Sequence, residues 1–339
     1  MEAYLERCLS SLIIDDDRMS LFEVLVINDG SKDRTSEIAH SFETRFPDTI
    51  RVIDKQNGHY GSCVNRGLQE AQGTFVKILD ADDTFDSAIF PTYLDFLQER
   101  VDDADLILSE YVQVDDNLNL IDKHLYDDYA EPFMPGDLSA SDRVRWFIHG
   151  LTYRTSLLRG IDYKQTEGVA YTDMEWCFYP AAFVRRAYRF HGFLYRYTKM
   201  REEQSVAPAI HGKNIGMQMR VVENLVKDSS RILETCLVEN RLFLQELLYL
   251  NVSHIYQLVL LTLHKHIKDD TPLLSFDQML REENPALYDR IGSYSTVIGQ
   301  FTFFPIRLWR DGKNARLKVM QWIYSLADSI SRMRRIIAL

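Results

Sequence analysis

The amino-acid sequence predicts an α/β protein in which a mostly parallel sheet is flanked by helices and followed by a helical C-terminal region. Over residues 1–110, short apolar runs of strand length alternate with amphipathic segments of helix length. This alternation implies right-handed crossovers between parallel strands. A second observation is that each apolar run ends in a cluster of polar turn residues. From about residue 206 onward, the apolar pattern is helical.

The predicted elements follow one another in a regular order. Tyr4–Leu12 carries an apolar stripe typical of a helix, and Phe22–Ile27 is a run of strand length rich in β-branched residues. Thr35 opens the next helix, and Ile50–Ile53 predicts a second strand. After a further helix, Phe75–Leu79 predicts a buried strand. The first part of the chain is therefore built from strand–helix units.

An acidic tetrapeptide, Asp80–Asp83, directly follows the third predicted strand. Asp80 and Asp82 are one residue apart and form a hard-oxygen site that suits Mg²⁺ or Mn²⁺ carrying substrate phosphates. The carboxyl ends of parallel strands are also where open α/β sheets bind ligands. Aspartates after strands are common as turn and cap residues too, but the ordered series of polar strand-end loops favours the ligand site.

Several segments together resemble the family 2 glycosyltransferases, which are inverting, nucleotide-sugar-dependent enzymes with the GT-A (Rossmann-like) fold. Their order and spacing agree with that family over roughly the first 205 residues, which is more specific than any single motif. The resemblance implies a GT-A domain over 1–205, with a nucleotide-binding half at 1–110 and an acceptor half at 111–205, and a helical C-terminal region at 206–339. The matching segments are Val26–Asp33, Asn57–Gly58, Asn65–Gly67, Gly73–Asp83, Tyr171–Trp176 and Arg201–Ser205.

The resemblance also implies roles for individual residues. Asp80 and Asp82 are the implied metal pair, with Asp82 the better ligand of Mn²⁺ or Mg²⁺ and Asp80 able to bond the donor's ribose. Asp29 corresponds to an aspartate near the uracil and ribose of the donor, and a capping role is the alternative. Arg201 suits diphosphate oxygens because of its planar donor fork, and a surface ion pair is the alternative. The implied donor-binding residues are Asp29, Gly30, Asn57, Asn65, Asp80, Arg201 and Gln204.

Two carboxylates are candidates for the catalytic base. Asp173 matches the family's base position, and Glu175 lies two residues further along. Inverting transfer needs a carboxylate that takes the proton of the acceptor hydroxyl while that oxygen attacks the anomeric carbon. Only one of the two carboxylates can be aligned with the attacking oxygen. We therefore expect Asp173 to be the base and Glu175 to support it.

The start of the sequence departs from the family pattern. Family members normally begin with a strand that precedes a helix like Tyr4–Leu12 and carries part of the pocket for the nucleotide base. Here Met1 is followed directly by that helix. Three explanations are open: a misassigned start, a truncated chain, or imperfect donor binding. If an upstream strand is encoded in frame, we expect it to raise donor affinity.

Composition excludes some classes of function. The net charge of −11 argues against general nucleic-acid binding. The sequence contains no apolar stretch long enough to span a bilayer and no signal peptide at its start. Its four cysteines are scattered without metal-ligand spacing, which is typical of buried thiols in a reducing cytosol.

Positive charge is concentrated at the C-terminal end. Residues 300–339 contain eight basic and two acidic residues and carry +6, which leaves −17 for the remainder. Aromatic residues are interleaved with the basic ones. This pattern fits attachment to an anionic membrane surface. A helix that packs its aromatic residues on the body and solvates its charges is the alternative.

These observations predict a transferase of bacterial type that moves a sugar from a nucleotide-diphosphate donor, a UDP-sugar, to a glycan or lipid-linked acceptor in cell-surface polysaccharide synthesis. The expected location is the cytoplasm, peripheral at the inner face of the cell membrane. One alternative is a non-catalytic GT-A domain that binds a glycan or a partner enzyme. Another is a nucleotidyltransferase, against which the Asp173 segment and the lack of a Gly-rich basic phosphate loop at the start argue.

Overall fold

The computed structural model describes residues 1–199, 207–267, 269–298 and 301–337. Two predicted donor-binding residues, Arg201 and Gln204, lie outside the described residues, so their roles stay predictions.

The chain divides into two compact units. The first comprises 1–201 and 231–245, and the second comprises 202–230 and 246–339. The first unit contains every described residue that the sequence predicts for the site. Its helices and strands are α1 (Leu5–Ser10), α2 (Asp16–Met19), β1 (Val24–Asn28), α3 (Thr35–Arg45), β2 (Ile50–Asp54), α4 (His59–Glu70), β3 (Phe75–Lys77), β4 (Thr84–Phe85), α5 (Phe90–Glu99), β5 (Leu106–Val114), β6 (Leu120–His124), α6 (Ala140–Val144), β7 (Leu151–Arg154), α7 (Thr155–Gly160), α8 (Asp173–Phe178) and β8 (Ala187–Thr198).

The strands of the first unit form two sheets. β1 and β2 pair in parallel, with Val24 opposite Ile50 and Asn28 opposite Asp54. The larger sheet has the order β3–β7–β5–β8–β4, and β6 pairs with β5. In this sheet β5 and β8 are parallel, whereas the other pairings among the described residues are antiparallel. The predicted α/β class with flanking helices is confirmed, but the sheet is mixed and not mostly parallel, because β7 lies between β3 and β5 and runs against both.

The apolar faces of α1 and α3 pack with the strands into one core. Leu5, Leu9 and Leu12 form the stripe that the sequence predicts, and all three are buried. Phe42 of α3 and Ile50 of β2 belong to the same cluster. Burial of one such side chain stabilises the fold by about 1.5–3 kcal/mol. This core fixes the strands from whose ends the loops of the candidate site start.

The described part of the second unit is formed by helices and a pair of short antiparallel strands, in which Phe301 lies opposite Ile298. Among the described residues, no helix is both long and apolar enough to cross a membrane. The elements that follow β8 in the chain are α9 (Pro208–Thr235), α10 (Arg241–Gln257), α11 (Thr271–Glu283), α12 (Pro285–Gly292), β9 (Thr296–Ile298), β10 (Phe301–Phe303), α13 (Pro305–Arg310) and α14 (Asn314–Ile337).

Candidate active site

The loops after β1 and β2 meet around the carboxylate of Asp29. Lys55 donates from Nζ to Asp29 Oδ1 at 2.6 Å, and the Gly58 amide donates to the same oxygen at 2.9 Å. The Asn57 side chain donates to the Asp29 carbonyl at 3.2 Å. We call Asp29, Lys55, Asn57 and Gly58 the Asp29–Lys55 cluster. Because Gly58 immediately precedes α4, the Asp29 carboxylate contacts the amino end of that helix, and its contact with a donor stays a prediction.

Charge in the Asp29–Lys55 cluster is compensated. Burial raises the pKa of Asp29, but the hydrogen bonds from Lys55 and the Gly58 amide together lower it below its ordinary value. Lys55 Nζ also donates to Ser62 Oγ and to the Gln56 carbonyl, both at 2.7 Å. The carboxylate is therefore ionised and held in place by its own protein partners.

Gly30 allows the two loops to approach each other. Its φ of +73° lies in the left-handed region, which glycine adopts without steric penalty. A Cβ at this position would lie 3.3 Å from the Asn57 amide nitrogen and 3.4 Å from the Lys55 carbonyl oxygen. The structure thus gives Gly30 a backbone role in the cluster, while its contact with a donor stays a prediction.

The loop after β3 holds carboxylates that are bonded by hydroxyl and amide groups. Asp80 Oδ1 accepts a hydrogen bond from the Tyr60 hydroxyl at 2.8 Å. Asp83 accepts from the Tyr195 hydroxyl and from the Thr198 amide, both at 2.7 Å. Within the part of the chain that the structure describes, neither Asp80 nor Asp83 has an ion pair. These carboxylates therefore lack the cation that Asp29 has.

A histidine completes this group. Asp80, Asp83 and His149 bring potential ligand atoms within 4.8 Å of one another. With Asp82 they form what we call the acidic cluster. Burial and the charge of Asp82 raise the pKa of Asp80 to about 7, against the hydrogen bond from Tyr60. Burial and the charges of Asp80 and Asp82 raise the pKa of Asp83 to about 8. Like charges at close range disfavour ionisation of their neighbours, so this cluster attracts a cation.

The residues of the acidic cluster fit a divalent metal ion. The Nδ1 atom of His149 is buried and has no hydrogen-bond partner among the described residues. Burial and the charge of Lys77 lower the pKa of His149 to about 3, which leaves the neutral imidazole that can ligate a metal. Lys77 Nζ donates to the His149 carbonyl at 2.8 Å and so holds this turn. Carboxylates suit Mg²⁺ and Mn²⁺, and the imidazole adds a ligand for a transition ion such as Mn²⁺.

The predicted metal pair, Asp80 and Asp82, is only partly the group that the structure brings together. Asp80 belongs to the three residues with close ligand atoms, and Asp82 acts on it through its charge. Asp83 and His149 join the group in addition. A ligand role for Asp82 stays a prediction.

The two base candidates differ in what they contact. Asp173 is the first residue of α8 and half-buried, and its charge contributes to the raised pKa of Asp80. Burial raises the pKa of Asp173 as well, against hydrogen bonds from backbone amides. Glu175 is buried, and its two oxygens accept hydrogen bonds from the amide and the hydroxyl of Thr166 at 2.7 and 2.6 Å. The oxygens of Glu175 are thus engaged by Thr166, and the role of Asp173 as the base stays a prediction.

Asn65 binds residues 165–167, the segment that contains the Thr166 partner of Glu175. Its side-chain nitrogen donates to the Gln165 carbonyl and to Glu167, both at 2.9 Å, and its oxygen accepts from the Gln165 amide at 2.8 Å. Asn65 is buried in α4. Its amide therefore ties residues 165–167 to this helix, and the predicted contact with a donor stays a prediction.

Helix α1 contacts the backbone of residues 80–83, which we call the acidic loop. The buried Cys8 thiol donates to the Asp80 carbonyl at 3.7 Å, and Arg7 donates to the Asp82 carbonyl at 3.5 Å. Arg7 also donates to the Asp116 carbonyl at 2.6 Å. The helix that the sequence predicts at its start thus positions the backbone that carries the carboxylates.

Sequence reasoning missed three residues of the site. Lys55 and Tyr60 flank the predicted Asn57–Gly58 segment. Lys55 directly follows β2, and Asp29 directly follows β1, which pairs with β2, so this lysine could have been predicted from the sequence. His149 has no local signal. It precedes β7, which pairs with β3, where Thr152 lies opposite Lys77.

Comparison with protein families and known proteins agrees with this geometry. Residues 2–159 match the model described as glycosyl transferase family 2. The uncharacterized glycosyltransferase EpsJ of Bacillus subtilis (strain 168) is 27% identical over 178 residues, which cover 51% of this chain and 50% of EpsJ. The minor teichoic acid biosynthesis protein GgaB of the same organism is 29% identical over 107 residues, or 32% of this chain and 12% of GgaB. The chain spans about half the length, or less, of these curated relatives.

Solved structures of S. aureus TarS 1–349 share the fold. The complex with UDP-GlcNAc has a TM-score of 0.52 and 16% sequence identity, over 89% of this chain and 93% of that one. The complex with UDP has a TM-score of 0.51 and 18% identity over the same shares. The first unit shares the fold of GT-A glycosyltransferase structures. Residues 2–159 match the model of glycosyl transferase family 2, and the relatives named above are bacterial.

Proposed function

We propose that this protein is an inverting glycosyltransferase that moves a sugar from a nucleotide-diphosphate donor, a UDP-sugar, to a glycan or lipid-linked acceptor in cell-surface polysaccharide synthesis. The observation that carries the proposal is the proximity of two acidic groups with different surroundings. Asp80 and Asp83 have no ion pair among the described residues, and Asp173 is near enough for its charge to raise the pKa of Asp80. A metal–diphosphate group and a separate base are the two requirements of this reaction.

The donor is assigned to the loops after β1, β2 and β3. The nucleoside would contact the Asp29–Lys55 cluster, whose hydrogen-bonding groups are already held in place. Asp80, Asp83 and His149, with Asp82 beside them, would hold Mn²⁺ or Mg²⁺. Such an ion supplies positive charge to the diphosphate of the donor. The proposal is supported by the TarS complexes, in which a protein of this fold binds UDP-GlcNAc and UDP.

Asp173 is assigned as the general base. Its carboxylate would take the proton of the acceptor hydroxyl as that oxygen forms its bond to the anomeric carbon and the bond to the diphosphate breaks. Burial, which raises the pKa of Asp173, makes it a stronger base once it is ionised. Glu175, which lies in the same helix as Asp173, would hold that helix in place by its hydrogen bonds with Thr166.

The acceptor class and the cellular position belong to the same proposal. The names of the relatives point to surface polymers, since GgaB is a minor teichoic acid biosynthesis protein. A lipid-linked acceptor would be reached from the cytoplasmic face of the cell membrane, where we expect the protein to be peripheral. The positive charge of residues 300–339 favours this position.

Calorimetry of UDP binding, followed by a transfer assay with a panel of nucleotide sugars, tests the proposal. UDP should bind in the presence of Mn²⁺ or Mg²⁺ and weakly in EDTA, and one UDP-sugar should be turned over with an inverted anomeric centre. The control variant Asp102→Ala, which changes an exposed aspartate of the same unit, should bind UDP and transfer the sugar like the wild type. Glycan binding without turnover of any nucleotide sugar would identify a non-catalytic GT-A module instead, and metal-independent UDP binding would contradict the metal assignment.

A further inference from the structure

Helix α14 has a buried face that attaches it to the second unit. Leu317 and Met320 are buried. The Gln321 side chain donates to the Leu260 carbonyl at 2.7 Å. These contacts fix which side of the helix faces solvent.

The opposite side of α14 exposes a second apolar stripe. Val319 is 58% exposed, Trp322 64% and Leu326 44%. Residues three and four positions apart lie on the same face of a helix, so these side chains form one stripe. Large apolar side chains that are grouped at the surface indicate an interaction site. The alternative that residues 300–339 simply pack on the body of the protein therefore describes the buried face of α14 and does not describe its exposed face.

An open cavity adjoins this stripe at Val319. Its volume is about 620 Å³, which lies in the range of about 300–1,000 Å³ that is typical of small-molecule sites. Phe304 and Leu308 contribute further apolar walls. Asp311 also lines the cavity, but its carboxylate pairs with Lys313 at 2.7 Å. The cavity thus has apolar walls, and Lys313 compensates the negative charge of Asp311 at its rim.

Three basic side chains on this side are exposed and unpaired. Arg307 and Arg316 line the cavity, and Lys318 lies two residues further along α14. Within the described ranges, none of the three has an ion pair or a hydrogen bond from its side chain. Arg310, by contrast, pairs with Asp277 at 2.6 Å and serves the fold. The unpaired charges are therefore available to an anionic partner.

We propose that this face docks on an anionic phospholipid bilayer. Arg307 and Arg316 bind lipid phosphates, because guanidinium groups match phosphate oxygens. Val319, Trp322 and Leu326 enter the boundary between headgroups and acyl chains, where tryptophan is favoured. The cavity takes part of an acyl chain. The inference rests on the proposed membrane position and not on the transfer activity, and a second copy fits poorly because a symmetric contact would face like charges.

Vesicle co-sedimentation of the full chain tests the charged part of the proposal. The wild type should bind vesicles of phosphatidylglycerol and phosphatidylcholine but not pure phosphatidylcholine, and added salt should weaken binding. The double variant Arg307→Gln/Arg316→Gln should lower the partition coefficient by about 30-fold at low salt. Lys227→Gln, which removes an exposed charge elsewhere in the second unit, is the matched control and should leave binding unchanged.

Fluorescence tests the apolar part. Trp146 and Trp176 are buried and Trp309 is half-buried, whereas Trp322 is 64% exposed, so quenching by brominated lipids should come mainly from Trp322 and fall strongly in Trp322→Phe. Val319→Asp/Trp322→Asp should abolish sedimentation. Leu274→Asp, at another exposed apolar position of the second unit, should retain it.

Four outcomes overturn the proposal. They are equal binding to neutral vesicles, no binding at low salt, normal binding by the Val319→Asp/Trp322→Asp variant, and a lipid-free dimer that this variant dissociates. Circular dichroism and thermal melts confirm that each variant is folded. UDP calorimetry on the same variants separates a failure of the docking surface from a failure of the proposed transferase function.

Discussion

Two loops that follow strands of the first unit carry aspartates in opposite electrostatic states. In the Asp29–Lys55 cluster, an ammonium group pairs with the carboxylate and the pKa of Asp29 is lowered. In the acidic cluster, carboxylates have each other as neighbours, and the pKa values of Asp80 and Asp83 are raised to about 7 and 8. The same residue type thus serves two purposes within one unit.

The difference indicates which part of a ligand each loop accepts. A compensated cluster offers fixed hydrogen-bonding groups and suits a nucleoside, which is uncharged. An uncompensated cluster is stabilised by a cation and through it suits a diphosphate. The following predictions test whether the two loops are as different as their surroundings imply.

The largest effect is expected at Asp173, a fourth carboxylate that acts beside the three of the acidic cluster. Asp173→Asn keeps the shape of the side chain and removes its basicity, so turnover should fall by roughly 10²–10⁴-fold while UDP affinity is unchanged. Transfer rates and calorimetry on Asp173→Asn and Glu175→Gln make the measurement. Near-normal turnover of Asp173→Asn together with an inactive Glu175→Gln would identify Glu175 as the base instead.

A strong effect on binding is expected within the acidic cluster itself. Asp82→Ala removes a negative charge beside Asp80, so the Mn²⁺-dependent part of UDP affinity should fall by about 10–100-fold. Calorimetry with Mn²⁺ and with EDTA measures it. Unchanged metal-dependent affinity in this variant would leave Asp82 outside the metal site.

In the Asp29–Lys55 cluster, the expected effect is on stability. Lys55→Met leaves the Asp29 carboxylate largely buried without its cation, which should lower the free energy of unfolding by about 2–4 kcal/mol. Both side chains are about one-fifth exposed, at 18% and 22%, so we expect less than for a fully buried pair. Urea unfolding measures it, and Lys55→Met/Asp29→Asn should recover part of the loss. A larger loss in the double variant would contradict the pairing.

The smallest effect is a dependence of metal-free stability on pH. Asp80 and Asp83 have pKa values raised above those of the unfolded chain, so they stabilise the fold at low pH and lose this contribution as pH rises through about 7 and 8. Asp29, whose pKa is lowered, contributes in the opposite direction and only under acidic conditions. Thermal melts in EDTA should show a loss on the order of 1–2 kcal/mol between pH 6 and 9.

Mn²⁺ should abolish the loss of stability at high pH. The control is Asp80→Asn, which should reduce the pH dependence in EDTA. A protein without metal that is equally stable across this range would contradict the raised pKa values of Asp80 and Asp83.

Much of the first unit could be predicted because its signals are local. The stripe of α1, the β-branched runs at β1 and β2, and the aspartates after β3 depend on residues adjacent in sequence. The order of the larger sheet could not be predicted in this way, because β7 is four residues long and pairs with β3 across a long stretch of sequence. His149 reaches the acidic cluster only through this pairing.

The sequence motifs predicted where residues lie in the fold better than they predicted which groups the side chains contact. Asn65 lies in a segment that the resemblance assigns to the donor, yet its amide is used by Gln165 and Glu167. Asp83 is outside the metal pair that the resemblance implies, yet it is almost fully buried and joins the group of close ligand atoms. Which oxygen faces a ligand depends on side chains from distant elements, and spacing within a motif does not contain that information.

The position of Cys8 makes the acidic loop accessible to a kinetic measurement of its own. The thiol is buried against the Asp80 carbonyl, and burial raises its pKa, so a disulfide reagent can reach it as a thiolate only when α1 separates from the loop. Its labelling rate therefore reports how often this region opens in the native protein. A ligand that holds the loop closed would protect the thiol, and the protection factor would give the free energy of that local opening without any substitution at the site.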